Sequence, residues 1–167
     1  MSGGAAERPR FRDDRRTLHD FEEEFLVECP RCRACARVAP APAAPGDCGG
    51  QPASPPTWRT VCGTCGLAKD EGGDKPAVIE ASDPHFHLPL WLQEPCCGHT
   101  LWAFNAKHLL YLESFVRAEL RERVRDPELG WSNRSLTNRL PDWTIVAKHR
   151  AEVMKAIERL KRKVGSR

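Results

Sequence analysis

Cys29-Pro30-Arg31-Cys32 and Cys62-Gly63-Thr64-Cys65 are two Cys-x-x-Cys turns, each able to present two thiolates from one tight bend. Two such bends facing each other make a tetrahedral sulfur cage, the donor set that zinc prefers. Free cysteine titrates near ~8.5, but a bound zinc keeps its thiols deprotonated. Four sulfurs at ~2.3 Å leave the ion no open position. The predicted site therefore stabilises a fold and does not activate water. Gly63 and Gly66 suit the second bend, where positive φ is often needed. In the first, Pro30 favours the bend, but Arg33 stands where a glycine would help. Cys35 opens a second frame, since Cys32-Arg33-Ala34-Cys35 is also a Cys-x-x-Cys. We favour Cys29 as the ligand because strand-like Phe25-Leu26-Val27 precedes it, as Trp58 to Val61 precedes the other pair; replacement by Cys35 stays open. A redox reading would need a pair opening a helix in a βαβ context, which neither pair has.

A second cluster is Cys96-Cys97-Gly98-His99. It is a candidate metal or thiol site, completed by His85, His87 or His108. Against this, adjacent cysteines usually point to opposite sides and seldom ligate one ion together. The plainer expectation is a turn with one cysteine buried as a small apolar side chain. His85-Phe86-His87 alternates like a strand edge.

The remaining chemistry is electrostatic and aromatic. From Lys148 onward eight cations face only Glu152 and Glu158. Lys148, Arg150, Lys155, Arg159 and Arg162 are candidate contacts to an anion or nucleic acid. A solvated helix end, its cations complementing the macrodipole, is the competing reading. Asn105, Lys107 and His108 could hold an anion at a helix start, or simply cap it. Trp91, Trp102, Phe104 and Trp143 could stack bases, but are favoured as filling between sheet and helices. No Ser/His/Asp pattern, His-Glu-x-x-His or phosphate-cradling glycine loop is present.

The elements that must position these groups follow from pattern. The 167 residues make one domain, or a small domain with an elaboration; 40% are hydrophobic, which suits a modest core. No apolar run approaches the ~20 residues that cross a bilayer. No apolar leader is seen, and paired cysteines without one predict a reducing, cytoplasmic setting. Residues 1–20 read as a flexible arm, and 21–104 as the metal-bearing region with an Ala/Pro-rich insertion at 36–57 that carries Cys48 as a free thiol. Residues 69–76 read as a loop. Leu88 to Gln93 reads as a strand with Pro89 at its start or edge. Residues 105–167 read as helical. Asn105 caps a helix running to about Val124, with Leu109, Leu112, Phe115, Val116 and Leu120 on one stripe. Asn133 to Leu140 makes a short helix. A last helix reaches Lys163 on Val146, Val153, Met154, Ile157 and Leu160.

The two cysteine turns resemble the zinc ribbons of transcription factors and replication-restart proteins. Leu101-Trp102-Ala103-Phe104-Asn105-Ala106-Lys107-His108-Leu109, with Leu140-Pro141-Asp142-Trp143 and Ala147-Lys148-His149-Arg150, resembles a family of small bacterial zinc-ribbon proteins of uncharacterised function. The resemblance spans roughly residues 25 to 163. It implies an α+β fold, an N-terminal zinc ribbon packed on two or three C-terminal helices, with zinc as its cofactor. The chain departs from a simple ribbon in its long insertion, in Cys35, and in lacking a glycine after Cys32.

The expected function is a non-enzymatic interaction module that contacts protein or nucleic acid, with zinc structural. Two alternatives stand beside it. One is a metal- or thiol-dependent enzyme using Cys96, Cys97 and His99. The other is a subunit that docks on a protein through its basic C-terminal helix. Neither the partner nor the oligomeric state is legible.

Overall fold

The computed structural model describes residues 9–42, 57–72, 81–122 and 135–166. Its architecture is α+β, with a small antiparallel sheet in the N-terminal half and helices in the C-terminal half. A short strand, β1 (Arg10–Arg12), leads to a 3-10 turn at Leu18–Phe21. The turn is boxed at its start, where Asp20 Oδ2 accepts from the Thr17 amide at 2.6 Å and the Thr17 hydroxyl at 2.9 Å.

Four strands follow: β2 (Phe25–Glu28), β3 (Cys35–Pro40), β4 (Thr57–Val61) and β5 (Ala68–Gly72). They pair antiparallel in chain order, with Phe25 opposite Val38 and Val38 opposite Thr60. Alternation along each strand sends Phe25, Val27, Ala36, Val38 and Thr60 to one buried face. Arg37, Arg59 and Val61 take the other.

A hairpin, β6 (Leu92–Cys96) and β7 (His99–Ala103), hangs on the edge of β2. The Leu26 amide donates to the Phe104 carbonyl, and the Trp91 amide to the Leu26 carbonyl, both at 2.8 Å. Helix α1 (Ala106–Arg117) starts at Asn105, whose Oδ1 accepts from the His108 amide at 3.0 Å. Strand β8 (Leu120–Glu122) then pairs parallel with β1. Two single turns, α2 (Leu136–Arg139) and α3 (Asp142–Ile145), and a 3-10 turn at Ala147–His149 lead into α4 (Arg150–Gly165). Val153, Ala156, Ile157 and Leu160 line the buried face of α4, which packs on β6 and α1.

Several sequence expectations are corrected. The arm is built into the fold from Arg10 onward, because Phe11 inserts edge-on against Tyr111 and Phe115 with centroids 5.4 and 5.2 Å away. That same arm shortens α1. Ala118 turns extended, the Glu119 amide donates to the Pro9 carbonyl at 3.0 Å, and Leu120 joins a strand instead of the helical stripe. Residues 36–40 and 69–72, read as loop, are strand. Val146 lies before α4 and is exposed, so it adds nothing to that helix's apolar face. His85-Phe86-His87 is a turn: the buried Asp83 carboxylate accepts from the amides of His85, Phe86 and Leu88 at 2.7 to 3.0 Å. The expectations for residues 1–8, for 43–56 with Cys48, for 73–76, and for 123–134 fall outside the described residues. Among the described residues no helix is long and apolar enough to cross a membrane.

Candidate metal centre

The two Cys-x-x-Cys turns lie at the same end of the sheet, one joining β2 to β3 and one joining β4 to β5. Their backbones correspond residue for residue. In the first, the Cys29 amide donates to the Ala34 carbonyl and the Arg33 amide to the Cys29 carbonyl, at 2.8 and 2.9 Å. In the second, the Cys62 amide donates to Leu67 and the Gly66 amide to Cys62, at 2.9 and 3.0 Å. Each turn then needs a left-handed residue just after its second cysteine. Gly66 supplies it at φ 71°, and Arg33 supplies it at φ 65° with a side chain that glycine would spare.

The four sulfurs converge. All lie within 4.8 Å of one another, with Cys29 to Cys65 at 3.7 Å and Cys32 to Cys62 at 3.6 Å. A tetrahedron with metal–sulfur bonds of ~2.3 Å has edges of about 3.8 Å, so the donor set matches one four-coordinate ion in size and chemistry. Cys29 and Cys62 are buried and Cys32 and Cys65 half-buried, which leaves one side of the cage near solvent. Amide donors favour the thiolate: the N–H of Cys65, and then of Thr64, hold the Cys62 thiol down at about 6 against the effect of burial. At Cys32 the Ala34 amide pulls the same way, but desolvation and the crowding of the other three thiols push it up to about 12. Crowded thiols that resist joint ionisation are what a dication relieves. Cys35 is not in the group; it opens β3 opposite Glu28, and that register turns it out of the cage.

The other candidates are dispersed. Among the described residues no further set of three His, Cys, Asp or Glu ligand atoms converges. His99 stacks on Trp143 with centroids 5.0 Å apart and planes at 10°. His85 stacks on Trp58 at 3.7 Å. His108 is buried, its Nδ1 accepting from the Phe104 amide at 3.2 Å, and burial drives its pKa down to about 3. It is a neutral core histidine and binds no anion. Asn105 is consumed by its cap and by donating to the Phe21 and Glu24 carbonyls at 2.7 and 2.8 Å, while Lys107 pairs with Glu23. The aromatic residues form no single platform: Phe104 is fully buried, Trp102 tilts against it, and Trp143 stacks on His99 instead.

The basic segment divides in two. Arg159 and Lys163 clamp Glu94 of β6 at 2.6 and 3.2 Å, and Lys161 reaches Glu113 of α1 at 3.1 Å. Burial opposes the charge on Glu94, but its two cations together hold its pKa below the ordinary value. These charges dock the helix. Arg150 is half-buried, its Nε enclosed without a partner among the described residues. Lys148, Lys155 and Arg162 are exposed and form no ion pair among the described residues, although Glu152 and Glu158 share their face of the helix. Seven-residue spacing returns to nearly the same helix face, so Lys155 and Arg162 line one stripe that Lys148 extends from the preceding turn. From sequence alone these were not separated from the docking cations; the seven-residue spacing of Lys148, Lys155 and Arg162 is the signal that could have done so.

No family model matches the sequence, and no curated protein or solved structure matches it.

Proposed function

We propose that the chain is a zinc-stapled, non-enzymatic binding module, and that its target is a nucleic acid met through the outer face of α4. The convergence of the four sulfurs carries the zinc part. Tetrahedral sulfur coordination suits zinc or iron, and zinc is the redox-inert choice for a closed site that serves a fold. The cage uses all its donors on one ion, so no position remains for substrate or an activated water.

Lys148, Lys155 and Arg162 support the second part. They face solvent in a row while their neighbours Arg159, Lys161 and Lys163 are spent on the fold. A row of unpaired cations suits evenly charged phosphates. The apolar face of α4 is already buried, which leaves little for docking on a protein by hydrophobic contact. Against the enzyme alternative, desolvation, Cys96 and Glu152 push the Cys97 thiol up to about 12, so at neutral pH it rests as a protonated thiol and not as the standing thiolate that thiol enzymes use.

The test is the salt dependence of binding to a mixed-sequence oligonucleotide by fluorescence anisotropy. Three phosphate contacts predict that log K falls against log salt with a slope of about −2.7 on duplex DNA. A Lys155→Glu, Arg162→Glu double variant loses roughly 1.8 of that slope. Binding that ignores salt, or survives both charge reversals, would sink this target.

A further inference from the structure

We propose that Cys96 and Cys97 form a second, separate binding site: a dithiol clamp for a trivalent thiophilic oxo species of the arsenical class. The two residues stand at the tip of the β6–β7 hairpin, where Cys96 pairs with His99 and the two-residue turn is Cys97-Gly98. Both turn residues have positive φ, 52° and 78°, the pattern of a type I′ turn. In an extended strand, neighbouring side chains point to opposite faces. The left-handed backbone at Cys97 undoes that alternation and brings the two sulfurs to 3.6 Å, both as free thiols. Asparagine or glycine would take this φ with less strain. The turn nevertheless carries a cysteine, beside another.

The surroundings fit a ligand. The pair opens into a depression of about 540 Å³, which Lys148, Glu152, Lys155 and Arg159 also line. Cys97 Sγ donates to Glu152 Oε2 at 3.3 Å, so a proton acceptor is already in place. Among the described residues two thiols and no third ligand atom converge here, short of the four donors of a closed tetrahedral site. The pair suits a centre that takes two sulfurs and keeps its own substituent. Condensation needs no oxidant: each thiol gives up its proton, two arsenic–sulfur bonds form, and the arsenic-bound oxygen leaves as water. Glu152 relays the Cys97 proton to that oxygen. The arsenic remains trivalent and both sulfurs remain thiolate in oxidation level.

The clamp shares Lys148 and Lys155 with the proposed nucleic-acid face but rests on the two thiols, so it is tested apart from that reading. The zinc-loaded full chain, kept reduced with a phosphine, is titrated with phenylarsine oxide and followed by native mass spectrometry. One phenylarsenic per chain with the zinc retained is expected. Cys96 is buried and its replacement risks the fold, so the half-exposed Cys97 carries the test. Cys97→Ser leaves a single thiol and weakens the adduct roughly a hundredfold or more, as loss of a linked second contact does. Cys35→Ser leaves it unchanged. No adduct on the wild-type chain, an equally tight adduct on Cys97→Ser, or adduct formation that expels zinc in step would each overturn the clamp.

Discussion

The sheet is held differently at its two ends. At one end, four sulfurs from two turns converge within 4.8 Å. At the other, Trp58 stacks on His85, Phe25 meets Phe104 at 4.8 Å, and Asn105 ties α1 to the Phe21 and Glu24 carbonyls. The turn end is held by four buried or half-buried cysteines and by the backbone hydrogen bonds of its two turns. A small sheet has too little core to hold such an end by packing alone, and a metal on the four sulfurs would supply what burial cannot. The packed end needs no ion.

The largest test of this contrast removes the metal. Cys62→Ser, or chelation, should destabilise the fold by at least about 5 kcal/mol, given the ~10–16 kcal/mol that structural zinc supplies. Hydrogen exchange localises the effect. Amides of β3 to β5 lose protection, while those of α1 and α4 keep theirs because α4 packs on β6 and α1 and α1 is capped at the packed end.

The mirror experiment weakens the packed end. Asn105→Ala strips a cap and leaves the buried Phe21 carbonyl and the half-buried Glu24 carbonyl without its donors, costing about 2–3 kcal/mol in a denaturant titration. Metal stoichiometry should not change.

Acid attacks that end too. The His108 pKa falls to about 3 on burial, from an ordinary value near 6.5. Between these values the unfolded chain binds the proton and the folded chain does not, so stability falls as pH drops below about 6.5. From pH 7 to pH 5 the loss is about 2 kcal/mol, at up to ~1.4 kcal/mol per pH unit. Acid also strips metal from thiolates, so the measurement is the difference between wild type and His108→Gln, which cancels that shared effect.

The smallest effects compare the two turns directly. Nothing crowds Gly66, so Gly66→Ala pays only for its left-handed backbone, about 1 kcal/mol. Arg33→Gly relieves the same strain but loosens the unfolded chain by ~0.5–1 kcal/mol and loses the exposed pair with Glu28. The net change in thermal stability should stay within about 0.5 kcal/mol.

The metal end was the legible one. Cysteine spacing is local, and the mismatch at Arg33 was visible as a missing glycine that the φ of 65° then bore out. The cap at Asn105 and most of the α4 stripe were legible for the same reason. What the sequence hid was decided by distant partners. Leu120 continues a helical stripe but is taken by a strand from the arm, across more than a hundred residues. His85 and His87 alternate like a strand, yet Asp83 gathers three amides and bends them into a turn. The sulfurs of Cys96 and Cys97 meet only because a hairpin places one of them at positive φ.

The central claim is a single closed metal site on Cys29, Cys32, Cys62 and Cys65. Elemental analysis of native protein tests it, on the wild type and on Cys62→Ser and Cys35→Ser. One zinc per chain, lost with Cys62 and kept without Cys35, is the predicted result. Iron in place of zinc, no metal, or an ion that survives Cys62→Ser would contradict it.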